Sequence, residues 1–291
     1  QEAYVLALRP VVEADPARRT AGKGVPSRAE RLEGGLIGLL VGDALGVPYE
    51  FNPPDRLPPA HAIDFEPPPG FRRSHPSARP GSWSDDGAQA LCLLASLLDK
   101  GTLDLDDFAG RLVRWLREGY MAVDGLVFDC GIQTAGAIER LRNGVLPEEG
   151  GARGEHQNGN GSLMRVLPLA LWHRGPDEEL VAFAHRQSLP THGHLRSQVC
   201  CALYCLWARQ LLNGAQDGFP EAVARLEELY AGQPGYAKEL DRVMAYEHRD
   251  SPRGAGYVVD TLWSVRHATK QQGYADVVRA AFPAAQITYK I

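Results

Sequence analysis

Cysteine is scarce and poorly placed for cross-linking. The 291 residues hold five: Cys92, Cys130, Cys200, Cys201 and Cys205. An odd number, with three crowded into an apolar stretch, is not a disulfide framework, and a reducing cytoplasm is the expected setting. Positive charge is also in deficit, with 31 Lys and Arg against 36 Asp and Glu and a formal net charge of −5. Without a basic excess to meet a phosphate backbone, no direct nucleic-acid partner is expected. No apolar run approaches the ~18 to 20 residues that span a bilayer, so no membrane partner is expected. The opening residues lack the charged–apolar–small order of a secretory leader. Gly-x-Ser-x-Gly, His-Glu-x-x-His and Cys-x-x-Cys are all missing, so serine hydrolase, zincin and dithiol redox readings have no support. Alternating apolar–polar runs bounded by turns are missing too, which argues against a β-sandwich or barrel.

What is present is ordinary globular usage, 44% hydrophobic and 23% charged, in a chain long enough to bury a core without staples. Residues 1–28 read as an N-terminal extension, polar and rich in breakers over 14–24. Residues 29–291 read as one helical domain. From Arg28 onward Leu32, Leu36, Leu39 and Leu40 recur at helical spacing. Gly34, Gly38, Gly42 and Gly46 recur at every fourth position. Glycine costs about 1 kcal/mol against alanine inside a helix, so such a stripe implies that another backbone or a ligand comes very close. Residues 51–82 are a proline-rich irregular loop, of the length that is usually functional or mobile. Helical pattern resumes over 85–98, 107–115, 163–172, 195–212, 221–229 and 255–268. The expected architecture is all-α, with the chemistry on loops and helix ends.

Four clusters are candidates for that chemistry. Gly42-Asp43-Ala44-Leu45-Gly46-Val47-Pro48-Tyr49-Glu50 puts two acids around the end of the first helix, where Gly46 and Pro48 also make a plain helix stop. Ser84-Asp85-Asp86-Gly87 offers a hydroxyl and two carboxylates, hard oxygens of the kind magnesium and calcium take. Ser84 or Asp85 would equally serve as an N-cap. Asp104 to Asp107 reads as a cap alone. Asn158 to Arg165 runs glycines, amides and a hydroxyl into a helix, which exposes backbone N–H groups to an anion such as a diphosphate. An ordinary turn is the alternative. The histidines of 185–194 lack the ligand spacing of a zinc site, and the nearby cysteines read as buried structural thiols.

Taken in order, these stretches resemble the ADP-ribosylglycohydrolase family over roughly Arg28 to Ala280. Gly42 to Glu50 is similar to the family's opening motif and Trp83-Ser84-Asp85-Asp86 to its first metal motif. Asp129-Cys130-Gly131-Ile132-Gln133-Thr134 is similar to its Asp-x-Gly-x-x-Thr segment. Asn160 to Arg165 and Ser188 to His192 match two further motifs, and Gly256 to Leu262 a third. The resemblance implies an orthogonal all-α bundle with two magnesium ions in a central cleft. It implies hydrolysis of the glycosidic bond between ADP-ribose and an acceptor, a protein side chain or a small molecule. Ser84, Asp85 and Asp86 would ligate metal. Glu50, Asp85 and Asp86 would be the catalytic residues. Asp129, Gly131, Asn160, Gly161, Ser162, Met164 and His192 would bind the ligand. Two departures stand out. Gly87 replaces the usual threonine, and no Asp or Glu follows Asp276, where the resemblance puts a second pair of metal-binding aspartates. The alternative is therefore a catalytically impaired relative that binds ADP-ribose or an ADP-ribosylated protein, with one magnesium ion or none.

Overall fold

Ser27 begins the first helix. Its hydroxyl accepts from the Glu30 amide at 3.3 Å, and the Glu30 carboxylate accepts from the Ser27 amide at 2.7 Å. This capping box satisfies two amides that a helix end leaves bare. The structure, a computed structural model, describes residues 25–248, 256–271 and 273–284. Most of the expected N-terminal extension and the final residues therefore lie outside the described part. Helix α1 (Arg28–Gly46) passes into a single 3-10 turn, Val47–Tyr49, that carries Pro48. After the proline-rich loop come α2 (Asp85–Lys100) and α3 (Leu105–Glu118). Gly101 closes α2 in the left-handed conformation, and Asp104 caps α3 by accepting from the Asp107 amide at 2.9 Å.

The remaining elements among the described residues are helices joined by loops. They run α4 (Ile132–Arg142), α5 (Pro147–Gly150), α6 (Leu167–Trp172), α7 (Asp177–Ser188) and α8 (Leu195–Leu212). Then follow α9 (Phe219–Tyr230), α10 (Pro234–Met244), α11 (Val258–Ala268) and α12 (Tyr274–Ala284). Among the described residues there is no sheet, only two isolated bridges, Ala152 to His192 and Gly159 to Tyr257. The all-α expectation holds.

Helix α8 is the hub. It packs against α1, α6, α7, α9, α10 and α11. Val199, Cys200, Cys201, Leu203, Cys205 and Leu206 along it are buried, as are Ser197 and Gln198. A helix enclosed along most of its length needs little polar face, and between Val199 and Ala208 its sequence is apolar on every side. Helix α2 lies across α1, α3 and α6 and carries the second half of the core.

The glycine stripe of α1 now has a cause. A Cβ on Gly35 would meet Leu171 at 3.1 Å, and one on Gly38 would meet the Tyr274 ring at 3.2 Å. Tyr274 sits at the start of α12 and donates its hydroxyl hydrogen to the Gly38 carbonyl at 2.7 Å. Within the stripe, Gly38 and Gly42 admit the Tyr274 side chain of α12 rather than another backbone, Gly34 meets nothing within 4 Å, and the α6 contact falls on neighbouring Gly35. Between these helices and α8 and α11 lies an apolar cavity of about 200 Å³, lined among others by Gly38, Leu39, Tyr204 and Leu262. One expectation needs amending. By length and composition Arg28–Tyr49 is apolar enough to cross a membrane, but half of it is buried against the rest of this protein. Its hydrophobicity is spent on internal packing.

Candidate active site

The head of α2 is capped from another helix. Asp43, fully buried near the end of α1, accepts from the Ser84 amide at 2.9 Å and the Gly87 amide at 2.8 Å through one oxygen. Its other oxygen accepts the Ser84 hydroxyl hydrogen at 2.7 Å. Sequence reasoning gave the cap to Ser84 or Asp85. Ser84 does occupy the N-cap position, but its side chain makes no capping bond. The consequence is chemical. A hydroxyl has a single hydrogen, and Ser84 gives it to Asp43. Its lone pairs are left facing Asp85 Oδ1 at 3.4 Å and Asp86 Oδ2 at 3.5 Å. Three hard oxygens, Ser84 Oγ, Asp85 Oδ1 and Asp86 Oδ2, converge. All three residues are buried. Two adjacent carboxylates removed from water repel each other, and a hard divalent cation is the group this donor set fits.

Gly87 belongs to the same construction. A Cβ there would lie 2.8 Å from Trp83 Cβ and Cγ and 2.9 Å from a Leu40 methyl. Trp83 is itself fixed by donating its indole hydrogen to the Met121 carbonyl at 2.9 Å. A threonine in place of Gly87 does not fit beside that indole.

Glu50 follows the turn after α1 and is fully buried. The proline-rich loop is fastened over it. The Ser74 amide donates to the Pro48 carbonyl at 2.9 Å, and the Ser74 hydroxyl donates to the Glu50 carbonyl. Asn52 Nδ2 donates to the same carbonyl at 3.0 Å. His75 Nε2 lies 2.6 Å from Glu50 Oε2. Glu50 Oε, His75 N and Asp129 Oδ ligand atoms all fall within 4.8 Å of one another. The His75 ring also meets Phe51 and Phe128, with centroids 5.6 and 5.0 Å away.

The segment that begins at Asp129 connects this corner to the glycine-rich loop. Gln133 in α4 accepts from the Gly159 amide at 3.3 Å and donates to the Gln157 carbonyl at 3.0 Å. The Asn160 amide donates to the Gly256 carbonyl at 2.9 Å, and the Val258 amide to the Asn158 carbonyl at 2.9 Å. The loop is thus stitched to the start of α11. A Cβ on Gly161 would stand 2.7 Å from His192 Cε1 and 2.8 Å from Thr134 Oγ1. His192 therefore forms the floor under the glycines. Asn160 Nδ2 is buried and has no hydrogen-bond partner among the described residues.

A buried cation lies behind both halves. Arg165 is fully enclosed. It donates to Gln89 Oε1 at 2.9 Å, to Gln187 Oε1 at 3.3 Å and to the Gln187 carbonyl at 2.9 Å. Burial lowers its pKa to about 10, and the charge of Asp85 acts in the opposite direction. Burial, seconded by Arg165, pushes His192 down to about 3, so its imidazole is neutral at physiological pH. Its Nδ1 lies 2.8 Å from Thr191 Oγ1.

The sequence-selected residues fall into local groups. Ser84, Asp85 and Asp86 share the head of α2, Glu50 and Asp129 share the His75 corner, and Gly161 lies on His192. Gly131 N-caps α4. Two point elsewhere. The Ser162 hydroxyl is buried against Ser188 Oγ at 2.9 Å and Cys201 Sγ at 3.5 Å, and Met164 lines the apolar cavity. Sequence reasoning missed Asp43 as the interhelical cap, His75 as the partner of Glu50, and Arg165 as the buried charge. Asp43 stood inside a motif already singled out; nothing marked His75 within its loop. A second acid–histidine group, Glu155, His194 and Glu239, is occupied by arginine. Arg196 meets Glu155 at 2.7 Å and Glu239 at 2.8 Å, and Arg242 meets Glu239 at 2.6 Å.

The fold is an all-helical arrangement with buried acids at the head of α2 and a glycine-rich loop tied to the start of α11. The chain belongs to the ADP-ribosylglycohydrolase family, whose model matches residues 25–286. It is similar to "ADP-ribosylarginine hydrolase Tri1" of Pseudomonas putida (strain GB-1), with 34% identity over 81% of this chain and 61% of that one. The Serratia proteamaculans (strain 568) protein of the same name is 32% identical over 81% of this chain and 62% of its own length. The "ADP-ribosyl-[dinitrogen reductase] glycohydrolase" of Rhodospirillum rubrum is 27% identical over 83% and 74%. The chain thus spans about six-tenths of the first two relatives. A solved structure titled "ADP-ribosylglycohydrolase-related protein complex" superposes with a TM-score of 0.69 at 29% identity, covering 91% of this chain and 84% of that one.

Proposed function

We propose that this chain hydrolyses the N-glycosidic bond between ADP-ribose and an arginine side chain, with magnesium held at the head of α2. The observation that carries the proposal is the Asp43–Ser84 bond, which turns the Ser84 lone pairs toward Asp85 and Asp86. Those three residues would hold the ion, which when bound orients ribose hydroxyls and activates a water. Glu50 is the carboxylate placed to stabilise the positive character that develops on the sugar as the glycosidic bond breaks. The buried Asn160 side-chain amide, whose Nδ2 has no partner among the described residues, supplies a donor to the diphosphate. His192 contributes a neutral surface that adds no charge to the nucleotide pocket. Family membership and the names of two relatives support the reaction class and the arginine linkage. Five free thiols support a reducing compartment such as the cytoplasm.

A second reading is favoured by one observation: the described cleft offers one set of paired acids at a helix head, where a two-metal site needs more ligands. On that reading the protein binds ADP-ribose or an ADP-ribosylated protein without turnover. Release of ADP-ribose from an ADP-ribosylarginine peptide separates the two. The expected result is magnesium-dependent release, stopped by a chelator and reduced at least about 100-fold by Asp85→Ala. No release from the intact chain, with calorimetric ADP-ribose binding retained, would establish the binding reading. Loss of both refutes both.

A further inference from the structure

We propose that His75 is a positioning residue for Glu50, fixing the rotation of its carboxylate by donating one hydrogen bond from the proline-rich loop. The inference rests on the hydrolase reading for its catalytic consequence, but not for the contact itself. Glu50 as an ionised carboxylate only accepts, so the 2.6 Å contact requires hydrogen on His75 Nε2. The loop is built to deliver that nitrogen. Ser74, one residue earlier, holds the Glu50 backbone carbonyl through its hydroxyl and the Pro48 carbonyl through its amide. One residue therefore grips the main chain of Glu50 while its neighbour grips the side chain. Phe51 and Phe128 lie against the imidazole and limit its swing.

Backbone conformation points to the same corner. Five described non-glycine residues have positive φ, and three of them belong here: Phe51 at 59°, His75 at 47° and Asp129 at 52°. Left-handed backbone at non-glycine residues persists only where surrounding contacts enforce it, and it concentrates at functional sites. Histidine and aspartate adopt that conformation more readily than most residues, but phenylalanine does not. A loop that served only to connect α1 to α2 would have no need to bind Glu50 twice over, through its main-chain carbonyl and its Oε2. A carboxylate free to rotate would present either oxygen to the sugar, and misplacement by about 1 Å costs about 100-fold in rate.

Three measurements on the full chain test this. In ADP-ribosylarginine hydrolysis, His75→Ala is expected to lower kcat about 10- to 100-fold with KM and the calorimetric ADP-ribose affinity within about twofold. His75→Gln, whose amide nitrogen reaches a similar position, is expected to recover most of that loss. Equal kcat in His75→Ala and wild type, or no difference between the two variants, overturns the proposal. The third measurement is independent of turnover. A slowly exchanging imidazole Nε2–H resonance of His75 is expected by NMR in the intact chain and is expected to vanish in Glu50→Ala. Its absence from the wild type refutes the contact, whereas its presence in a chain that releases no ADP-ribose leaves the contact standing and refutes the hydrolase reading alone.

Discussion

At Gly161 the backbone passes over the His192 ring with no space for a methyl group. Gly161→Ala would put a Cβ 2.7 Å from His192 and 2.8 Å from Thr134, both buried and both held by their surroundings. We expect about 1–3 kcal/mol of destabilisation, visible by urea titration, and at least tenfold weaker ADP-ribose binding by calorimetry. Gly159 is a milder case, since its Cβ would stand 3.2 Å from His192 Nε2. Residue-scale reading of the sequence caught the glycines because their spacing into a helix advertises exposed amides. It missed His75, because a histidine among prolines carries no local signal. Only the fold brings that residue to Glu50 across 25 positions of chain.

Between elements, the joint that matters is Asp43, which ties α1 to α2. Asp43→Ala leaves two buried amides and a buried hydroxyl without their acceptor and should cost about 2–3 kcal/mol in chemical denaturation with an unchanged m-value. Asp43→Asn keeps an acceptor oxygen and should lose less. Element prediction from the sequence succeeded where periodicity or strong caps dominate, as in α2, α3 and α8. It missed α4, α5, α7, α10 and α12. In α10 the opening Pro234-Gly235 reads as a breaker, yet proline fits the first turn of a helix, whose amides have no partner to lose. The segment expected to be helical from Leu163 stays a turn until Leu167, because the Leu163 and Met164 amides both bond to the Asn160 carbonyl. The glycine stripe suggested a close backbone or ligand, but what approaches Gly38 and Gly42 is the Tyr274 side chain, and Gly34 meets nothing within 4 Å.

For the molecule as a whole, two buried histidines set the response to acid. Burial lowers His192 to about 3 and His185, stacked on Tyr236 at 4.4 Å, to about 4. In the unfolded chain both titrate near 6.5. Below that pH the unfolded state binds protons that the folded state refuses. Stability is therefore complete above about pH 6.5 and falls as pH drops toward 4, by about 1.4 kcal/mol per pH unit for each histidine. Urea midpoints between pH 7 and 4 should show this slope, and His185→Phe should make it shallower.

The enclosure of α8 has one more consequence. Cys200, Cys201 and Cys205 on it, and Cys92 on α2, have no solvent-accessible surface, whereas Cys130 is partly exposed. Burial raises the thiols of Cys92 and Cys201 to about 12 and 11, so even a small alkylating reagent finds almost no thiolate. One sulfhydryl should be labelled at once, and the other four only as fast as the hub comes apart. Mass-resolved labelling kinetics thus time the opening of the bundle with a probe supplied by the native sequence.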